Sequence, residues 1–161
     1  MSHSELSGPQ LPAVGLVDNL SDEDRRLLSS YGTFTFVSDG TVVIEEGKPQ
    51  EFLYFLISGQ LHAKSKAGGP EILLGRIRDG EWFGEINIFD PAAALATVVA
   101  VENSQIWKIS RAELQQFFEA YPAPAFQLTV SIATGISRRL RGVTGQLIQK
   151  TDYDRILADL A

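Results

Sequence analysis

Two apolar rhythms divide this chain. From Tyr31 to about Ser110, short β-branched and aromatic runs recur: Thr33–Val37, Thr41–Ile44, Phe52–Ile57, Glu71–Leu74, Leu95–Val101 and Gln105–Ile109. Turn signals separate them at Asp39-Gly40, Gly47-Lys48-Pro49, Gly68-Gly69-Pro70 and Asp79-Gly80. Many short strands at this spacing predict a compact all-β sandwich or roll. On either side the period lengthens to that of helices. Ser21 stands as N-cap before Asp22, Glu23 and Asp24, three acids in the first turn of a short helix reaching about Ser30. Ser110-Arg111-Ala112-Glu113 forms a capping box, and Leu114, Phe117 and Phe118 then share one face until Tyr121-Pro122.

A longer helical pattern is expected from Phe126 to about Ile148. Its apolar positions Ala133, Ile136, Leu140, Val143 and Leu147 step by three and four alternately, a narrow seam suited to a second helix. Gly135, Gly142 and Gly145 weaken it by up to roughly 1 kcal/mol each against Ala. The helix is therefore expected to end early or to admit a close partner backbone, and a separate short tail helix to begin near Thr151. Three regions are expected: a flexible, polar N-terminal arm over 1–15, a roll with flanking helices over 16–125, and a lid or dimerisation helix with its tail over 126–161.

Composition mainly excludes. The chain has 161 residues, no cysteine, and histidine only at His3 and His62. Its length fits one domain. Disulfide, thiolate-zinc and iron–sulfur chemistry are excluded, as is a cysteine nucleophile. Two histidines cannot build a multi-histidine metal centre, so no metal site is expected, and a cupin-like metalloenzyme is set aside. No Ser-His-Asp arrangement is available either. With 14 Lys+Arg against 20 Asp+Glu the net charge is -6, which argues against wrapping DNA. No apolar run approaches the roughly 20 residues that span a bilayer, and the N-terminus lacks the features of a signal peptide. A cytoplasmic protein that is not an enzyme is the expectation.

The chemistry concentrates in Gly80-Glu81-Trp82-Phe83-Gly84-Glu85-Ile86-Asn87-Ile88-Phe89. A glycine-bounded turn runs into Phe-Gly-Glu and then into one helical turn. Gly84 lets backbone approach a ligand, turn amides can face an anion, and Glu85 can accept from a sugar hydroxyl. Trp82 and Phe83 read as core anchors.

These residues resemble the cyclic-nucleotide-binding domain, the effector module of catabolite-activator-type regulators. Leu53–Leu61 resembles the family's strand ending in a glycine turn, Asp79–Glu85 the entrance to its phosphate-binding cassette, and Ala96–Ala100 the strand that follows. The resemblance covers about Leu16 to Gln146. It implies a mainly β fold with flanking α-helices: a double-stranded β-helix, or jelly-roll-like β-roll, followed by a long C-terminal helix. It implies a cyclic nucleotide, cyclic AMP or cyclic GMP, as ligand, with no other cofactor. The implied cassette comprises Phe83, Gly84, Glu85, Ile86, Ala94, Leu95, Ala96 and Thr97. Within it, Glu85 matches the residue that holds the ribose 2′-hydroxyl. Thr144 matches a lid contact on the long helix.

One departure stands out. The family's phosphate-clamping Arg falls on Ala94, and neither Arg nor Lys occurs between Arg78 and Lys108. Removing one partner of a buried ion pair costs roughly 3–5 kcal/mol, or about a hundred- to several-thousand-fold in affinity. Arg76 and Arg78, on one strand face, either reach the pocket or are solvent-facing charges; Arg138, Arg139 and Arg141 read as a solvated helix face. About a dozen residues follow Gln149, too few for the family's helix-turn-helix. Two functions remain open. One is a stand-alone regulatory sensor, homodimeric through the 126–148 helix, signalling to an unknown partner protein without DNA or membrane. The other is a ligand-free dimerisation or docking module on the same fold.

Overall fold

A computed structural model describes residues 9–160. Ten antiparallel strands form two four-stranded sheets and a two-stranded ribbon. The first sheet runs in the order β1 (Thr33–Val37), β10 (Ser104–Ser110), β4 (Phe52–Ser58), β7 (Trp82–Phe83). The second runs β2 (Val42–Ile44), β9 (Thr97–Ala100), β5 (Gln60–Ser65), β6 (Ile72–Arg78). β3 (Pro49–Gln50) and β8 (Ala92–Ala93) make the ribbon. Helix α1 (Asp22–Tyr31) precedes the strands, α2 (Glu85–Phe89) interrupts them, and α3 (Arg111–Ala120) and α4 (Pro122–Asp159) follow. The roll followed by a long helix is the expected fold.

The first sheet is covered on both faces, which explains the unbroken apolar run of β4. Side chains alternate along a strand. Tyr54 and Leu56 face the space between the sheets, meeting Ile44, Leu61, Phe83, Val98, Ala100 and Ile106. Leu53 and Phe55 face the helices instead, joining Trp82, Trp107 and Ile109 beneath Leu28, Ile88, Phe117, Leu128 and Ile132. Trp82 and Phe83, adjacent on β7, therefore anchor different cores.

Both helix starts follow the expected chemistry. Ser21 accepts from the Asp24 amide, and Ser110 and Glu113 complete their reciprocal box. Two expectations need correction. The loose arm gives way at Leu11, which is buried, its amide donating to Ser29 Oγ at 2.9 Å. A 3-10 turn at Gly15–Val17 follows, and Val17 too is buried. Apolar burial holds this segment where its Pro and Gly content suggested none; residues 1–8, with His3, lie outside the described residues. The second correction concerns length. α4 begins at Pro122, which needs no amide partner at a first-turn position, and continues unbroken through Gly142 and Gly145 to Asp159. Glycine weakens a helix but removes no backbone hydrogen bond, so the tail helix is the end of α4. Past the end of β2, Glu46 is tied down by hydrogen bonds. Ser65 Oγ and the Lys66 amide both donate to Glu46, at 2.6 and 3.0 Å, and hold its carboxyl below the ordinary value of 4.5.

Candidate functional site

Phe83, Gly84 and Glu85 lie where β7 turns into α2. Gly84 adopts a left-handed conformation with φ of 81°, where L side chains are strained. A Cβ there would also lie 2.6 Å from both Gln50 Nε2 and the Phe52 carbonyl oxygen. Gln50 is buried, and its amide brackets the Phe52 backbone, donating to the carbonyl at 2.6 Å and accepting from the amide at 3.0 Å. Close approach at Gly84 is thus to the protein's own chain. Phe83 stacks on Tyr54 with ring centroids 4.8 Å apart and planes 6° from parallel. Burial pushes the Tyr54 phenol up to about 12.

Glu85 begins α2, and only 5% of it is exposed. Its countercharge comes from a distant element. Arg139, on α4, pairs with Glu85 Oε1 through Nη1, and its Nη2 donates to the Trp82 carbonyl at 3.4 Å. The guanidinium side chain remains 60% exposed. In the sequence Arg139 belongs to what reads as a solvated row of arginines, and in the fold it leaves that row. A contact between residues 54 positions apart leaves no periodic trace, and the local signal is an acid at the start of a mostly apolar turn.

The opposite wall is built from the ribbon. The Ala94 amide donates to the Lys48 carbonyl at 2.8 Å, and its carbonyl accepts from the Gly47 amide at 2.8 Å. These bonds hold the Ala94 methyl inside the cluster between the sheets, 6% exposed. Asn87 Nδ2 donates to the Ala92 carbonyl at 3.1 Å, fastening α2 to the ribbon. Leu95 is 73% exposed, whereas Ala96 and Thr97 are half-buried, and Thr97 Oγ1 accepts from the Glu46 amide at 3.0 Å. Ile86 lies on the exposed side of α2.

Arg76 and Arg78 are exposed on β6, while Ile77 between them packs against the inter-sheet core. Alternation places both arginines on the outer face, so neither reaches the cassette. Thr144 is exposed on α4, about one and a half turns beyond Arg139. Phe83 and Ala94 thus share the inter-sheet core, and Gly84 and Glu85 follow Phe83 at the start of α2, whereas Arg76, Arg78 and Thr144 are exposed elsewhere. Among the described residues no group of His, Cys, Asp and Glu could hold a metal ion, and no helix is long and apolar enough to cross a membrane.

The strand order, the Phe-Gly-Glu turn and the long following helix coincide with a known family. Its model, the cyclic nucleotide-binding domain, matches residues 34–121. The chain belongs to this family. The "Cyclic AMP receptor protein" of Thermus thermophilus is 28% identical over 127 residues, 78% of this chain and 57% of that protein. The chain therefore spans little more than half the length of that relative. The crystal structure of Thermus thermophilus Catabolite Activator Protein superposes with a TM-score of 0.74 at 26% identity, covering 82% of this chain and 61% of that one. A cyclic nucleotide-binding domain from Methylobacillus flagellatus superposes at 0.75 with 20% identity, over 85% and 78% of the two chains, a likeness of fold. The architecture is that of a cyclic nucleotide-binding regulatory domain.

Proposed function

We infer that this chain is a regulatory module of the cyclic nucleotide-binding-domain type that passes its signal by protein–protein contact, with its cassette held by Arg139 in place of tight cyclic-nucleotide binding. The observation that carries this reading is the Glu85–Arg139 pair. The carboxylate matching the family's ribose ligand is engaged by the protein's own helix. At the phosphate position Ala94 supplies a methyl group to the core and no charge. A cyclic phosphate keeps one negative charge, which an Arg meets bidentately and an Ala cannot.

The signal route follows from the same pair. Whatever displaces Arg139 from Glu85 frees α4 from α2, so two positions of the long helix differ by one ion pair and the contacts around it. The outward face of α4 is the surface such a shift presents. Phe126, Leu140, Val143 and Leu147 are all more than half exposed there, and this stripe supports homodimerisation through the 126–161 segment. A second reading keeps the fold and drops the ligand, leaving a constitutive docking module; burial of Ala94 in the inter-sheet core favours it.

Calorimetric titration with cyclic AMP and cyclic GMP tests the reading, on the wild-type chain and on Ala94→Arg. The expected result is millimolar or weaker binding by the wild type, and tightening by about tenfold or more in the variant. Micromolar binding by the wild type would overturn the argument from the missing clamp. An Ala94→Arg variant that melts normally yet gains nothing would favour the docking module.

A further inference from the structure

A cavity lies outside the roll. It occupies about 590 Å³ between the 3-10 turn at Gly15–Val17, the turn at Gly80-Glu81, and α4. That volume accommodates a ligand of nucleotide size. One wall is a row of donors: Ser131, Thr134 and Arg138, spaced three and four apart, share one face of α4 and line the cavity. Arg139 completes this wall. The facing wall carries Asp18, Asn19 and Glu81, side chains able to accept from hydroxyl groups. Leu16 and Trp82 supply an apolar floor.

The two arginines set the polarity of the site. Arg138 has no ion-pair partner among the described residues, so its fork is free for a ligand. Arg139 uses Nη1 on Glu85 and Nη2 on the Trp82 carbonyl. A guanidinium has five N–H donors in a planar fork that fits carboxylate and phosphate oxygens. Arg139 therefore keeps donors for an anion entering from the cavity side. The opposing carboxylates disfavour a bare anion and favour one carried on a hydroxylated frame.

We propose that this cavity binds a phosphorylated, hydroxyl-bearing small molecule, a sugar or nucleoside phosphate. The phosphate is held between Arg138 and Arg139, and the hydroxyls face Asp18 and Glu81. A phosphate on the remaining Arg139 donors shares the guanidinium charge with Glu85, weakens that pair and so loosens α4 from α2 from outside the roll. The site shares Arg139 with the proposed reading of the cassette, but Ala94 and the interior of the roll take no part in it.

The probes are ribose 5-phosphate, AMP and inorganic phosphate, titrated into the whole chain and followed by heat and by backbone amide signals. Saturable binding of ribose 5-phosphate or AMP is expected, tighter than that of inorganic phosphate. Arg138→Ala is expected to weaken it about tenfold or more, the effect of losing hydrogen bonds to a charged group, with Arg138→Lys intermediate because it keeps charge without the fork. Arg138 is exposed on α4, so an unchanged melting temperature separates lost binding from lost folding. The Glu85 amide is expected to shift on binding. No saturation up to about 10 mM, equal binding of inorganic phosphate, or affinity unaltered in Arg138→Ala would each overturn the site. A Glu85 amide unmoved at saturation would overturn the coupling to α2. Ala94→Arg leaves this cavity untouched, so a null cyclic-nucleotide titration and a null ribose 5-phosphate titration are separate failures.

Discussion

At the Glu85–Arg139 pair the two charges sit in unequal surroundings, and the inequality makes their removal asymmetric. Glu85 is 5% exposed, whereas the Arg139 side chain is 60% exposed. Deleting the guanidinium strands a buried carboxylate, a loss of about 1–3 kcal/mol or more for a charged acceptor. Neutralising the carboxylate leaves an arginine that water already solvates, and exposed pairs contribute only about 0–1 kcal/mol. Arg139→Ala is therefore expected to lower unfolding free energy in urea clearly more than Glu85→Gln. Equal losses would mean that the pair is no buried constraint on α4. This residue-scale chemistry was only half legible. Glu85 stood out because Phe-Gly-Glu after a glycine turn is a compact local motif. Arg139 did not, because its role exists only once α4 crosses α2. Ala94 lay between: its mismatch with the family pattern was readable, while its backbone bonds to Gly47 and Lys48 needed the β3–β8 ribbon, two residues on each side, which leaves no periodic signal.

Among the elements, legibility followed burial. β4 announces itself because both faces are covered and nearly every position is apolar, whereas β10 in the same sheet shows only Ile106, Trp107 and Ile109 among polar residues. β5 was harder: in Gln-Leu-His-Ala-Lys-Ser only Leu61 and Ala63 turn toward the inter-sheet core. The far end of α4 departs from its sequence pattern, in which Gly142 and Gly145 suggest a stop. A Cβ added at either glycine would meet nothing within 4 Å. By helical periodicity both also lie away from the Leu140–Leu147 stripe. Replacing either with Ala therefore adds helix propensity without cost in packing. Each substitution is expected to stabilise the helix by roughly 0.5–1 kcal/mol, seen as increased helical ellipticity and slower amide exchange beyond residue 140. A loss of helicity would mean that these glycines serve a close backbone contact with a partner, the reading that the sequence alone left open.

Across the whole molecule α4 separates two surfaces. Phe126, Leu140 and Leu147 fall seven or fourteen residues apart, with Val143 completing the stripe, and each is more than half exposed. A seven-residue spacing keeps such a stripe on one side of a helix that can wind around another. Exposed apolar stripes of this length are unusual on a monomer and mark contact surfaces. Ser131, Thr134 and Arg138 turn the other way, toward the cavity beside the 3-10 turn. Self-association and small-molecule binding are accordingly predicted to be independently removable. Leu140→Glu or Leu147→Glu would place a carboxylate in the stripe of each protomer, where burial without a partner costs several kcal/mol. Sedimentation equilibrium is expected to find a dimer of the wild-type chain and association weakened by at least about a hundredfold in either variant. Thermal melting of the roll should persist, since neither leucine belongs to a buried core. Arg138→Ala should leave the dimer intact, because its side chain lies across the helix from the stripe. A wild-type chain that sediments as a monomer at high concentration would leave the stripe to a different protein, and dimerisation unaffected by both glutamates would move the contact off α4 altogether.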